Sequence, residues 1–230
     1  MKRVYSRVSV AAVAGGWQVH LDAKPLRTPV RLPLIVPRAL AEGIAAEWSA
    51  QGVDIKPASM PLTQLASTAI DRVGPLRSAM VAAVAGYAET DLVCYRADRP
   101  PALVERQAAT WQPLLDWLAA RYDVVLSVHV GLMPRPQPPS ALATLQRCVA
   151  GLDDLTLSGL QNATASCGSL VVALALLERR LDAEQAYHAA HVDELYQVEQ
   201  WGEDAEAAAR RAAVRADIIA TRHYLDLLER

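Results

Sequence analysis

The chain has 230 residues and a mass of 24.9 kDa, enough to bury a sizeable core in one large domain or two small ones. Hydrophobic residues make up 52% and charged residues 21%, which excludes global disorder; the net charge of -2 speaks against a protein held to nucleic acid through its phosphates. The 3 cysteines are odd in number and widely spaced, which suits a reducing compartment and fits neither a disulfide framework nor a zinc knuckle.

The first forty residues have a period of two. Val8 and Val10 alternate with Arg7 and Ser9, Gly15-Gly16 is a turn signal, and Trp17, Val19 and Leu21 alternate with Gln18, His20 and Asp22. This predicts a hairpin. A second turn at Asp22-Ala23-Lys24-Pro25 leads to short extended pieces near Leu26 and from Leu32 to Val36. Pro25, Pro29, Pro33 and Pro37 keep these pieces short. The basic start is interrupted by Tyr5, Ser6, Arg7 and Ser9, so it does not read as a targeting peptide.

From Arg38 the period becomes helical. Leu40, Ile44 and Trp48 form one stripe, with Gly52 as the expected stop. A second helix carries Leu62, Leu65, Ala66, Ala69, Ile70 and Val73 and ends at Gly74-Pro75. A third carries Met80, Val81, Val84 and Tyr87 toward Thr90. Arg99-Pro100-Pro101 is a break. A fourth helix spans roughly 103–121, where Pro113 predicts a bend or the true first turn. Val124 to Val130 is β-branched and predicts a strand. Met133 to Pro139, with Pro134, Pro136 and Pro138, predicts an extended loop.

Helices then follow almost without pause. The apolar run Leu170 to Leu177 is too short for a membrane span and reads as a buried helix. Asp182 with Gln185 is a capping-box signature, and a last helix is expected from about Asp204 to Glu229. The expected fold is α+β and mostly α. A small antiparallel β domain (1–37) precedes a larger helical domain (38–230), in which 98–101 offers a further boundary.

Catalytic chemistry finds little support. His188 and His191 share a helix face, but no His-Glu-x-x-His or cysteine pair accompanies them, so no metal site is expected. Cys167-Gly168-Ser169 could hold a reactive thiol only beside a positioned base; otherwise it is a tight junction where Gly168 turns and Ser169 caps the next helix. Cys94 and Cys148 sit among apolar neighbours and read as core. No Walker or dinucleotide fingerprint is present, so no nucleotide cofactor is expected.

Three polar and aromatic clusters at helix ends stand out: Met60 to Arg72, Thr90 to Arg96, and Val192 to Asp204. The third sets Asp193, Glu194, Glu199, Glu203 and Asp204 around Tyr196 and Trp201. An amphipathic helix stopping at Gly202, with Asp204 capping the next, accounts for part of it. An acidic rim beside an aromatic anchor is also the anatomy of a protein-binding patch.

These clusters, in this order, resemble the Atp-twelve family, the assembly chaperones of the ATP synthase F(1) sector. The resemblance starts at Leu21-Asp22-Ala23-Lys24-Pro25-Leu26-Arg27-Thr28-Pro29. It continues through Ala45-Ala46-Glu47-Trp48, Met60-Pro61-Leu62-Thr63, Thr90-Asp91-Leu92 and Gly168-Ser169-Leu170, and closes with Asp193-Glu194 to Trp201-Gly202. It implies a small N-terminal β domain with a C-terminal helical domain. It also implies a non-enzymatic protein that binds the newly made F(1) alpha subunit, keeps it soluble and releases it when the beta subunit arrives; the sequence does not fix the oligomeric state, and a monomer is expected of a transient holdase. A cytoplasmic place in bacteria is implied, and the mitochondrial matrix for eukaryotic relatives. Contact candidates are Glu194, Tyr196, Glu199, Trp201, Glu203 and Asp204, whereas Trp48 is expected in the core. The rival expectations are a small enzyme using Cys167, His188 and His191, and a general protein-binding adaptor.

Overall fold

The computed structural model describes residues 2–131, 133 and 135–229. Its contacts group the chain into two units. One comprises Met1–Arg77, Asp153–Gly159 and Ala220–Arg230; the other comprises Ser78–Leu152 and Leu160–Ile219. The division therefore falls elsewhere than after residue 37. The N-terminal strands share a unit with the helices that follow them.

In the first unit, β1 (Val8–Val13) and β2 (Gly16–Leu21) pair antiparallel from Val8 opposite Leu21 to Val13 opposite Gly16. The alternation buries Val19 completely. Gly16 has a positive φ of 152°, and a Cβ there would lie 2.9 Å from the Val36 carbonyl oxygen, so the turn and the close strand both need glycine. On the other edge of β2, β3 (Lys24–Pro25) pairs beside Leu21 and β4 (Ile35–Val36) beside Trp17. The antiparallel sheet expected from the period of two is present.

α1 (Arg38–Ser49) buries Leu40, Ala41, Ile44 and Trp48. It ends at Ala50, so Gly52 lies beyond its cap. A helix N-terminus leaves backbone donors unmet, and α2 (Pro61–Thr68) has no cap from its own Met60 side chain. Glu47 of α1 supplies the acceptors instead, taking the N–H of Leu62 at 2.7 Å and both the N–H and hydroxyl of Thr63 at 2.9 and 2.7 Å. Burial nevertheless raises the Glu47 carboxyl above its ordinary value, against these hydrogen bonds and the His223 charge. α2 runs on as a π-helical turn, Ala69–Val73.

Further along the chain come α3 (Arg77–Gly86), α4 (Pro101–Tyr122), α5 (Pro139–Ala150), α6 (Asp154–Cys167), α7 (Leu170–Leu177), α8 (Ala183–Ala190), α9 (Val192–Trp201) and α10 (Ala205–Leu228). The start of α6 and the end of α10 belong to the first unit. There Gly159 admits Leu225: a Cβ at Gly159 would lie 2.6 Å from its Cδ2. The Tyr224 hydroxyl donates to the Leu155 carbonyl at 3.1 Å.

In the second unit α4, α7, α8 and α9 form the core. α7 is buried from Leu170 through Leu176, and α4 turns Gln107, Trp111, Leu114, Leu115 and Leu118 inward. Pro113 sits inside α4, neither at its first turn nor at a break. The capping box of Asp182 and Gln185 forms as expected. The strand expected over Val124 to Val130 is reduced to β6 (His129–Val130), which pairs parallel with β5 (Tyr95–Arg96). Its partner is only two residues long, so Val125 and Val128 have no ladder to join and are exposed. Cys148 is partly exposed rather than core; Cys94 is buried. Within the expected proline loop, Pro134 lies outside the described residues, and residues 135–138 carry no regular structure.

Candidate functional site

The sequence-predicted patch lies on α9 and the turn after it. α9 buries Val192 and Tyr196 and exposes the opposite side. Glu194 and Trp201 are seven residues apart, two helical turns, so they share one outward stripe. Trp201 is 78% exposed, unusual for the largest apolar side chain. Gly202 ends the helix with a φ of 89°, and the Asp204 carboxylate accepts the Ala207 N–H at 2.9 Å, capping α10.

The other acidic residues are occupied. Glu199 holds the Arg106 guanidinium through both oxygens, at 2.8 and 2.7 Å, and the pair keeps the Glu199 carboxyl below its usual range. The same guanidinium lies 5.4 Å from the Tyr196 ring centre. Glu203 receives Arg211 at 2.5 Å. Tyr196 is buried, so it supports the helix from beneath. Glu194, Glu199, Trp201, Glu203 and Asp204 are all exposed, and Glu199, Glu203 and Asp204 are engaged in the bonds just described.

α9 is held by Arg106 and Gln107 of α4, and the preceding α8 by Trp111, whose indole donates to the Ala189 carbonyl at 2.7 Å. Gln107 donates to Asp193 at 2.7 Å and accepts the Ala97 N–H at 2.8 Å. Arg96 donates to the Gln107 carbonyl at 2.8 Å and lies over the Trp111 ring. A second polar node sits at the start of α7. Asp91 is fully buried; it accepts the Ser169 hydroxyl at 2.6 Å, the Val171 N–H at 3.1 Å and the Val93 N–H at 3.2 Å. Ser169 in turn accepts the Val172 N–H at 3.0 Å. Burial pushes the Asp91 carboxyl up to about 6 in spite of these bonds.

The thiol of Cys167 has the wrong chemistry for a nucleophile. It ends α6 and is buried; burial first, then the Asp91 charge, push it up to about 12. Gly168 follows with φ 62°, and Ser169 caps α7, which is the tight junction expected as the alternative. His188 is exposed on α8, while His191 stacks on Tyr187 with ring centres 4.5 Å apart. Among the described residues there is no group of three or more metal-ligating side chains and no helix long and apolar enough to cross a membrane.

One feature of the first unit was not foreseen as a site. An apolar groove of about 570 Å³ is lined by Pro29, Val30, Trp48, Ile55, Pro57 and Met60, with Thr63, Gln64 and Asp71 along its wall. The cluster from Met60 to Arg72 marks this wall in the sequence, but only folding brings Pro29 and Trp48 to it.

An exposed aromatic beside an outward carboxylate on a braced helix has the anatomy of a protein-binding surface. Comparison with known proteins supplies the class. Residues 2–119 match the family described as ATP12 chaperone protein. Atp12 from Paracoccus denitrificans superposes with a TM-score of 0.94 at 40% identity, covering 99% of this chain and 98% of that one. A mutant of the Paracoccus protein gives the same score and identity over 97% of its chain. Protein atp12, mitochondrial, of Schizosaccharomyces pombe is 23% identical over 215 residues, 87% of this chain and 74% of that protein. The chain belongs to the ATP12 chaperone family, and its mixed, mostly helical fold is the Atp12 fold.

Proposed function

We propose that this protein is an assembly chaperone for the ATP synthase F(1) sector, which binds the unassembled alpha subunit, covers its beta-facing surface and hands it over without ATP hydrolysis. Alpha and beta subunits alternate in a ring with large, partly apolar interfaces. An unassembled alpha subunit exposes such a surface and tends to associate wrongly. A holdase has to bind that surface more weakly than the beta subunit does, so that mass action completes the exchange. A preference of about 1.4 kcal/mol for the beta subunit already displaces the chaperone tenfold. The protein acts as a monomer in the bacterial cytoplasm on this reading.

The observation that carries the reading to residues is Trp201, exposed on one stripe with Glu194 at the end of a helix braced by Arg106 and Gln107. Rigid support lets an exposed aromatic bind with little ordering cost. Co-purification with the alpha subunit alone, with and without added beta subunit, tests it. Alpha should be retained and then released by beta. Glu194→Lys and Trp201→Ala should each lose retention while melting as the wild type does. A different dominant partner from a lysate, or loss of binding matched by loss of stability, would refute the assignment.

A further inference from the structure

We infer that the Gln137 side chain is an edge guard, which stands in for a neighbouring strand at Ser127 and keeps the valine segment 124–130 from pairing with the same segment of a second copy of this chain. The segment reads Val-Val-Leu-Ser-Val-His-Val, with no Asp, Glu, Lys, Arg, Pro or Gly. An uncharged, β-branched run of this length has the composition that pairs with its own copies. Only His129–Val130 joins a ladder, with Tyr95–Arg96; residues 124–128 carry no regular structure. Val124 and Leu126 are buried, whereas Val125 is 71% and Val130 69% exposed, and Val128 also faces solvent. A regular strand would turn Val128 to the same side as Val124 and Leu126. The alternation therefore slips at Ser127.

Ser127 is where Gln137 acts. The Gln137 Oε1 accepts the Ser127 N–H at 2.7 Å, and its Nε2 donates to the Ser127 carbonyl at 3.0 Å. These are the two bonds that a directly opposed residue of an antiparallel strand exchanges with its partner. Gln137 is 3% exposed, so the amide is set into the fold. Its neighbours are Pro136 and Pro138, which have no N–H to offer a ladder. A loop of that composition does not continue a sheet through its backbone, and the glutamine amide supplies the peptide-like group instead. The occupant kept out is a second copy, because the segment is complementary to itself. Antiparallel pairing about Ser127 sets each Ser127 N–H against the other Ser127 carbonyl, Val125 against His129 and Val124 against Val130, on one two-fold axis. No charged residue in the segment opposes that pairing. The guard works whatever the client is, so it does not rest on the alpha-subunit reading.

The test uses the full chain and reads self-association by size exclusion with light scattering. Gln137→Ala should dimerise with a dissociation constant at least tenfold below that of the wild type. Gln137→Met keeps the length of the side chain, loses both bonds and should do the same, which covers the case where the shorter side chain disturbs the loop. Adding Val128→Lys, at an exposed position, should return either variant to the wild-type state without raising its melting temperature, because charge on an edge opposes pairing. Ser127→Cys locates the pairing. Gln137 bonds only the backbone there, so this substitution leaves the guard in place. Under mild oxidation Ser127→Cys alone should stay unlinked, and combined with Gln137→Ala it should form an intermolecular disulfide. Gln137→Ala without Ser127→Cys is the control for the partly exposed Cys148. No gain in association by either Gln137 variant, association or precipitation that Val128→Lys does not relieve, or equal linking with and without Gln137 overturns the inference. Stronger alpha-subunit retention by Gln137→Ala without self-association would make the segment a client site and overturn it too. Retention is otherwise scored separately, and its absence in the wild type fails the alpha assignment alone.

Discussion

Two buried tryptophans, one in each unit, treat the same indole N–H differently. Trp111 in the helical unit is fully buried, and its indole N–H is matched to the Ala189 carbonyl. Trp48 in the sheet-bearing unit is almost as deeply buried, yet its indole N–H has no partner. The two aspartates repeat the contrast. Both oxygens of Asp91 are engaged, and they close the start of α7; Oδ1 of Asp71 is unpaired beside a groove. An unmatched buried polar group costs about 1–3 kcal/mol. The helical unit also holds buried atoms without a partner, at the Tyr95 hydroxyl, Arg96 Nη2 and His129 Nε2, but the polar groups of Trp111 and Asp91 are matched. In the sheet-bearing unit the unmatched atoms of Trp48 and Asp71 both belong to residues that line one groove.

The largest test of this contrast is in the core. Trp111→Ala should cost about 3–5 kcal/mol through cavity formation, lowering the melting temperature by roughly 6–20 °C for a chain of this size. Trp48→Ala should cost a similar amount, since its ring is also packed, against Tyr5 at 5.8 Å. The phenylalanine variants separate the two. Trp111→Phe strands the Ala189 carbonyl and should lose about 1–3 kcal/mol more than Trp48→Phe, which has no hydrogen bond to give up. Equal losses by thermal denaturation would mean that the Trp48 N–H is satisfied in solution, and the contrast between the two tryptophans would go with it.

Next in size is a pH effect at Asp91. Its folded-state value, about 6, lies above the ordinary 3.8, so the folded protein holds this proton more tightly than the unfolded chain. Its contribution to stability is therefore complete below pH 3.8 and is lost as the pH rises through about 6. The difference is about 3 kcal/mol in order of magnitude. Urea titrations at several pH values between 4 and 7 should show wild-type stability falling across this window more than that of Asp91→Asn. Parallel curves for the two proteins would show that the carboxylate is better solvated than its burial implies.

The sequence carried the parts of the fold that are local. The capping box at Asp182 needs only residues three apart, and the Leu40, Ile44 and Trp48 stripe needs only the helical period, so both were legible. The junction at Cys167-Gly168-Ser169 was legible for the same reason. The parallel pairing of Tyr95 with His129 was not, because no local pattern tells a strand where its partner lies, and β-propensity alone overextended it to Val124. The candidate site divides along the same line. Exposure of Trp201 follows from the face of α9, whereas the Arg106–Glu199 and Arg211–Glu203 pairs join distant positions or neighbouring elements. The groove joins residues 27 to 72 through a fold, and the π-turn shifts Asp71 off the regular helical register. The segment Met60 to Arg72 looked unusual in sequence, but the composition of one wall does not reveal the other.

The smallest expected effects concern the acidic residues of α9, and they sharpen what braces that helix. Glu199 and Glu194 are both exposed, but Glu199 is tied to Arg106 and Glu194 lies on the Trp201 stripe. A surface ion pair contributes little and is screened by salt. Glu199→Gln should therefore give a small fall in melting temperature at low salt that vanishes at ~0.5 M salt. Any loss of client retention should follow the same salt dependence, because this residue acts by bracing the helix over Tyr196. Glu194→Lys should leave the melting temperature unchanged at both salt concentrations and still lose the client, because its charge faces outward. If Glu199→Gln abolished retention at every salt concentration with no thermal effect, Glu199 would have to be a direct contact that exchanges Arg106 for the client, and the braced helix would itself be a moving part of the binding surface.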